Sequence, residues 1–153
     1  MLSEGKKAPA FNLKDKDGQA HRLSELLGEY TVLFFYPKDN TSGCTIEANG
    51  FQKLAKDFRK LKTTIVGISG GDEKSKEKFC KKNGLTIPML SDTDFTVSEK
   101  YGIYGENKFM GRTYMGIKRI TFVLDSKGKI IKIFDKVKPV DHPKEVIDFI
   151  RTH

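Results

Sequence analysis

Apolar residues along this chain gather into short runs between charged stretches, and the spacing inside each run differs. Val32-Leu33-Phe34-Phe35-Tyr36 is apolar without interruption, as a strand covered on both faces is. It predicts a central strand over residues 30–36, and residues 63–68 predict a second. Between them Phe51, Leu54, Ala55, Phe58 and Leu61 recur at intervals of three and four, which places them on one face of a helix over 45–60. Asp72 is a cap and Gly84 a stop for a helix reaching Asn83. Asp17-Gly18 between short alternating runs predicts a hairpin joining 10–13 to 20–23.

Weaker signals fill the remainder. Residues 24–27 predict one helical turn, 88–90 an extended piece and 95–101 a short helix. Residues 102–116 read as a long glycine-rich loop. Strands over 118–124 and 129–134 are joined at Ser126-Lys-Gly128, and His142-Pro143 opens the last helix with Asp141 as its cap. Strands alternating with helices predict an α/β layered domain, and the two hairpins make its sheet mixed. No linker or composition break appears, so residues 1–153 are expected to form one domain.

Charge and composition narrow the function. The net charge of +8 over 153 residues invites a nucleic-acid reading. However, lysines such as Lys53, Lys56, Lys60 and Lys62 are spread among acids, and no stripe of aromatic and basic residues stands ready to stack bases. A solvated surface is the preferred reading, with no nucleic-acid partner. No stretch approaches the roughly 20 apolar residues of a membrane-crossing helix. The amino-terminal Met-Leu-Ser-Glu-Gly-Lys-Lys lacks the apolar core of a secretory signal, so the expected location is cytoplasmic, without membrane contact. His21, His142 and His153 have no metal-ligand spacing, and no cofactor is expected.

Two cysteines do not make a disulfide scaffold; in a reducing compartment they are catalytic or buried. Cys44 ends the run Pro37-Lys-Asp-Asn-Thr41-Ser-Gly-Cys44, which leaves the central strand and opens a helix. Helix N-terminal N–H groups and the macrodipole favour an anion there, and the thiolate is the reactive form of cysteine. Pro37 fixes the chain direction. Thr41, one turn before Cys44, can offer a hydroxyl to the sulfur or to what the sulfur attacks. There is no Cys-x-x-Cys, which disfavours a disulfide oxidoreductase.

Pro37, Thr41 and Cys44 at this spacing resemble the active-site motif of the peroxiredoxins. The string from Phe35 to Ala48 resembles the bacterioferritin comigratory protein, or peroxiredoxin Q, branch, and so does Phe109-Met-Gly-Arg-Thr-Tyr-Met-Gly-Ile-Lys-Arg-Ile-Thr-Phe-Val-Leu-Asp125. The similarity runs from Gly5-Lys-Lys-Ala-Pro-Ala-Phe11 to Phe149-Ile150. It implies a thioredoxin-like fold with a central mixed sheet flanked by helices. The implied activity is a peroxidase that reduces hydrogen peroxide and organic hydroperoxides through Cys44, with thioredoxin or a similar dithiol as reductant and a monomer as the assembly.

The same resemblance places Arg119 beside the reactive sulfur, with Arg112 and Arg22 as the alternatives. It makes Pro37 a shield for that sulfur. Glu47, in the first turn after Cys44, is read as serving the helix dipole; in relatives this acid helps to hold the arginine. Asn49 stands where many members carry a resolving cysteine. Other members carry theirs on the later helix, which points to Cys80, with Lys76, Lys81 and Lys82 near enough to favour its thiolate. Three readings therefore stand: a peroxidase resolved by Cys80, a one-cysteine peroxidase using an external thiol, and a basic binding protein on the same fold.

Overall fold

The structure is a computed structural model and describes residues 2–153; Met1, which begins the polar amino-terminal segment, lies outside the described residues. The chain opens with the hairpin of β1 (Asn12–Lys14) and β2 (Ala20–Arg22), closed by an Asp15 side chain that accepts from the N–H groups of Asp17 and Gln19. One turn, α1 (Leu23–Leu26), leads to β3 (Tyr30–Phe35). Then follow α2 (Ser42–Lys53), α3 (Ala55–Lys60), β4 (Thr63–Ser69), α4 (Glu73–Asn83), β5 (Met89–Ser91) and α5 (Thr96–Lys100). The last third holds β6 (Tyr104–Phe109), β7 (Arg112–Ile117), β8 (Ile120–Asp125), β9 (Ile130–Phe134) and α6 (His142–Arg151).

Seven strands form one mixed sheet in the order β2-β1-β5-β4-β3-β8-β9. Strand β3 lies inside it, parallel to the middle strand β4 and antiparallel to β8. Alternation along the central strands divides the core in two. Leu33, Phe35, Val66, Ile68 and Phe122 face α1 and α5; Val32, Phe34, Tyr36, Ile65 and Val123 face α2, α3, α4 and α6. Phe34 stacks on Phe51 of α2 at 4.5 Å between ring centroids, so the helix that carries Cys44 is pressed directly onto the central strand.

Three expectations are corrected. The helix expected over 45–60 begins earlier and is broken: α2 starts at Ser42, and Leu54 (φ −93°, ψ 5°) separates it from α3. Residues 102–116 are not a loop. They form the hairpin β6–β7, whose two turn residues, Met110 and Gly111, both have positive φ (51° and 78°), the primed turn that matches strand twist. The hairpin stands outside the main sheet and Arg112–Met115 are exposed, so there was no alternation to read. Asp141 occupies the cap position of α6 but makes no capping hydrogen bond through its side chain. In contrast, Asp72 caps α4 by accepting from Ser75 N–H at 2.9 Å, and Gly84 ends it in the left-handed conformation.

Candidate active site

The site is built where β3 stops. Tyr36 N–H makes a last sheet bond to the Ile68 carbonyl, and Pro37, with no N–H to give, lets the chain leave the sheet. Asn40 turns it with φ 63° and Thr41 is extended, so α2 begins at Ser42 and Cys44 is its third residue. Its thiol is buried, among the free N–H groups of the first turn.

Arg119 reaches this sulfur from the start of β8, the strand next to β3. It lies in the two-residue link between β7 and β8. It shares parity with Thr121 and Val123, and therefore the face on which α2 sits. One guanidinium serves two partners: Nη2 donates to Cys44 Sγ at 3.3 Å and Nη1 to Glu47 Oε1 at 2.8 Å. Cys44 and Glu47 are three apart on α2 and share a side of the helix. A planar fork with several fixed donors suits this geometry, and a lysine's single ammonium does not. Gly43 leaves room for it, since a Cβ there would lie 3.1 Å from Nη2. Burial works against the Arg119 charge, and Cys44 and Glu47 beside it more than offset that, holding the guanidinium above its ordinary range. Arg112 and Arg22, the alternatives, are both exposed.

Glu47 does not face the solvent-exposed helix end. It is fully buried against Arg119, and burial pushes its carboxyl up to about 7 in spite of that cation. Thr41 does not reach the sulfur: its hydroxyl donates to the Lys38 carbonyl at 3.0 Å, and its own carbonyl accepts from Thr45. Pro37 is half-buried in the same loop. Beside Arg119 opens a cleft of about 450 Å³ lined by Lys118, Asp135, Lys136, Val137 and Lys138. The described residues hold no group of His, Cys, Asp and Glu arranged for a metal ion.

Cys80 lies on α4, buried and not bonded to Cys44. Burial pushes its thiol up. Lys16 and Lys76 pull it the other way without outweighing burial, and the Lys76 ammonium is paired with Asp39 Oδ2 at 3.0 Å. Asp39 belongs to the loop between Pro37 and Cys44. Neither Asp39 nor this use of Lys76 was foreseen, and nothing in the local sequence marks them. Asn49, the alternative resolver position, instead donates to Asn83 Oδ1 of α4 at 3.3 Å.

Comparison with known proteins agrees with this arrangement. Residues 5–133 match the sequence model of the AhpC/TSA family. The chain is 40% identical over 151 residues to the putative peroxiredoxin bcp of Haemophilus influenzae, covering 99% of this chain and 97% of that one. It is 38% identical over 152 residues to peroxiredoxin Bcp of Escherichia coli, with the same coverage. The crystal structure of peroxidoxin BcpB from Mycobacterium tuberculosis superposes with a TM-score of 0.88 at 33% identity, over 99% of this chain and 98% of that one. Bacterioferritin comigratory protein from Xanthomonas campestris, studied for alkyl peroxide reduction, superposes with a TM-score of 0.86 at 31% identity, over 94% and 91%. With the mixed, helix-flanked sheet these structures share, the thioredoxin-like fold is established, and the chain belongs to the AhpC/TSA family as a peroxiredoxin of the bacterioferritin comigratory protein type.

Proposed function

We propose that this thiol peroxidase reduces hydrogen peroxide and organic hydroperoxides at Cys44. The observation that carries the reading is the Arg119 guanidinium, which touches Cys44 Sγ and Glu47 at once. A permanent cation against the sulfur offers its N–H groups both to the reacting sulfur and to peroxide oxygens. The thiolate attacks one peroxide oxygen, the S–O bond forms as the O–O bond breaks, and the leaving oxygen departs as water or alcohol after protonation. Cys44 is left as a sulfenic acid. Thr41 and Pro37 shape the mouth of the site; the Thr41 hydroxyl can accept from a peroxide O–H as it stands, and can donate to peroxide only by releasing the Lys38 carbonyl.

Cys80 is assigned the resolving role. Its thiol condenses with the sulfenic acid, water leaves, and a Cys44–Cys80 disulfide forms, which a dithiol protein of the thioredoxin kind reduces. Forming the bridge requires α2 or α4 to shift. The working unit is a cytoplasmic monomer of one domain. Among the described residues no helix is long and apolar enough to cross a membrane.

The test is peroxide consumption with a thioredoxin system, comparing wild type with Cys44→Ser. An alcohol this weakly acidic supplies almost no nucleophile at neutral pH, so the variant is expected to be inactive. Retained turnover would overturn the assignment.

A further inference from the structure

Behind Arg119 lie three buried polar groups, Glu47, Thr121 and His142, with the half-exposed Glu145 at their outer end, and the peroxide chemistry leaves His142 and Thr121 unused. Glu47 Oε1 accepts from Arg119, but Oε2, equally buried, has no hydrogen-bond partner among the described residues. A bare carboxylate oxygen in such a place is costly. Facing it is His142, the first residue of α6, whose ring is fully buried and whose Nε2 lies 3.9 Å from Oε2. The other ring nitrogen, Nδ1, meets Glu145 Oε1 at 2.8 Å, and Nε2 also meets Thr121 Oγ1 at 2.7 Å. A carboxylate only accepts, so Nδ1 carries its hydrogen, and Nε2 is the nitrogen that gains or loses a proton. Thr121 can follow either state, since a hydroxyl both donates and accepts. The single in-plane position on Nε2 faces Thr121, and at 3.9 Å it makes no hydrogen bond to Glu47 Oε2; the two buried groups are nevertheless close enough, with no water between them to screen it, for a charge on one to act directly on the other.

We propose that Glu47 and His142 hold one proton between them, and that His142 is thereby a positioning residue for the Arg119–Cys44 pair. With that proton on Glu47, the carboxyl is neutral and the Arg119 charge is left undivided for the sulfur. Once the proton is lost to solvent, an anion 2.8 Å from Arg119 offsets that charge. Burial favours the neutral form of both groups: it raises Glu47 to about 7 against the pull of Arg119 and lowers His142 against the pull of Glu145. The other charged or titratable groups facing the pair are Arg119 ahead of β8 and Glu145 on α6; Cys44 meets it only through Arg119. From α2 and β9 the imidazole otherwise meets the rings of Phe51 and Phe134.

The test is a titration of the His142 ring nitrogens by NMR in the reduced protein, over about pH 5 to 9, in wild type and in Glu47→Gln. His21 and His153 serve as internal references. The His142 signals are expected to pass through a step near neutral pH that disappears, or moves by about one unit or more, in Glu47→Gln. No step in wild type, or the same step in both proteins, would overturn the proposal.

The consequence for the sulfur is read in a Cys80→Ser background, where alkylation reports Cys44 alone. The alkylation rate is expected to show an inflection at the pH of the His142 step. Glu47→Gln and His142→Gln should both lose it, whereas a merely structural role would change the rate evenly across the range. Should His142→Gln fail to fold, the Glu47→Gln profile decides. This inference deepens the reading of Cys44 as the reacting thiol, but the ring titration needs no peroxide, so the two can fail separately.

Discussion

Asp39 and Lys76 meet at 3.0 Å in an ion pair with almost no exposure, 2% and 0% of their side chains. The pair ties the loop that leads to Cys44 to the helix that carries Cys80, one turn before that cysteine. Every polar atom in it is used. Asp39 also accepts from Tyr36, Ser69 and Ser75, and Lys76 also donates to Ser69 and to the Gly71 carbonyl. Gly71 is needed there, since a Cβ would collide with the Asp39 carboxylate.

Removing one partner leaves the other charge buried and alone. Lys76→Met is therefore expected to cost roughly 3–5 kcal/mol, measured as a fall in the urea midpoint. Adding Asp39→Asn to it should recover part of that loss, because the stranded charge is gone. If the double variant is less stable than Lys76→Met, the pair is not the reason for the loss.

Arg119→Ala should leave the fold in place and slow the reaction of Cys44 with peroxide by roughly 10²–10³-fold, the usual effect of losing a charged donor to reacting oxygens. Arg119→Lys should fall between, because one ammonium cannot span Glu47 and Cys44 as the fork does. Stopped-flow rates with excess peroxide check both.

Gly43→Ala tests the same contact from the other side. The new Cβ would lie 3.1 Å from Arg119 Nη2, so the guanidinium has to give by a few tenths of an ångström. The peroxide rate should fall, by less than in Arg119→Ala, while alanine's helix propensity keeps α2 intact. An unchanged rate would mean that the Arg119 position tolerates displacement.

Glu47 makes stability depend on pH in an unusual direction. Its carboxyl titrates at about 7 in the folded protein against 4.5 ordinarily, so between these values the folded state binds more protons than the unfolded one. Stability from this group is full below the lower value, falls as pH rises, and is lost above the higher one, by roughly 3 kcal/mol in all. Glu47→Gln has no such proton to lose. Its stability relative to wild type should therefore rise between about pH 4 and pH 8 by nearly that amount, as read by urea unfolding at the two values.

How much of this could be read beforehand follows from where each signal lies. Strand β3 was legible because both of its faces are buried, which leaves an unbroken apolar run, although that run continues one residue past the strand's end at Phe35. The ends of α4 were legible because Asp72 and Gly84 act locally. The break at Leu54 was not, since the apolar face from Phe51 to Leu61 continues across it and no glycine or proline marks it. The β6–β7 hairpin was hidden because an exposed ribbon needs no apolar alternation. In the site, Cys44 and Arg119 were legible through motif resemblance. Asp39, Lys76, Thr121 and His142 are single polar residues on otherwise ordinary elements, and only the fold brings them to their partners.

The central claim is that Cys44 is the sulfur that meets peroxide. Its most direct test is peptide mass spectrometry of the reduced protein after one equivalent of hydrogen peroxide, with dimedone present to trap sulfenic acid. In Cys80→Ser the trapped adduct should lie on Cys44, and in untrapped wild type a Cys44–Cys80 disulfide should replace it. No bridge in wild type, together with normal thioredoxin-linked turnover of Cys80→Ser, would make this a one-cysteine peroxidase. An adduct on Cys80 of the wild-type protein, with Cys44 left as free thiol, would contradict the account.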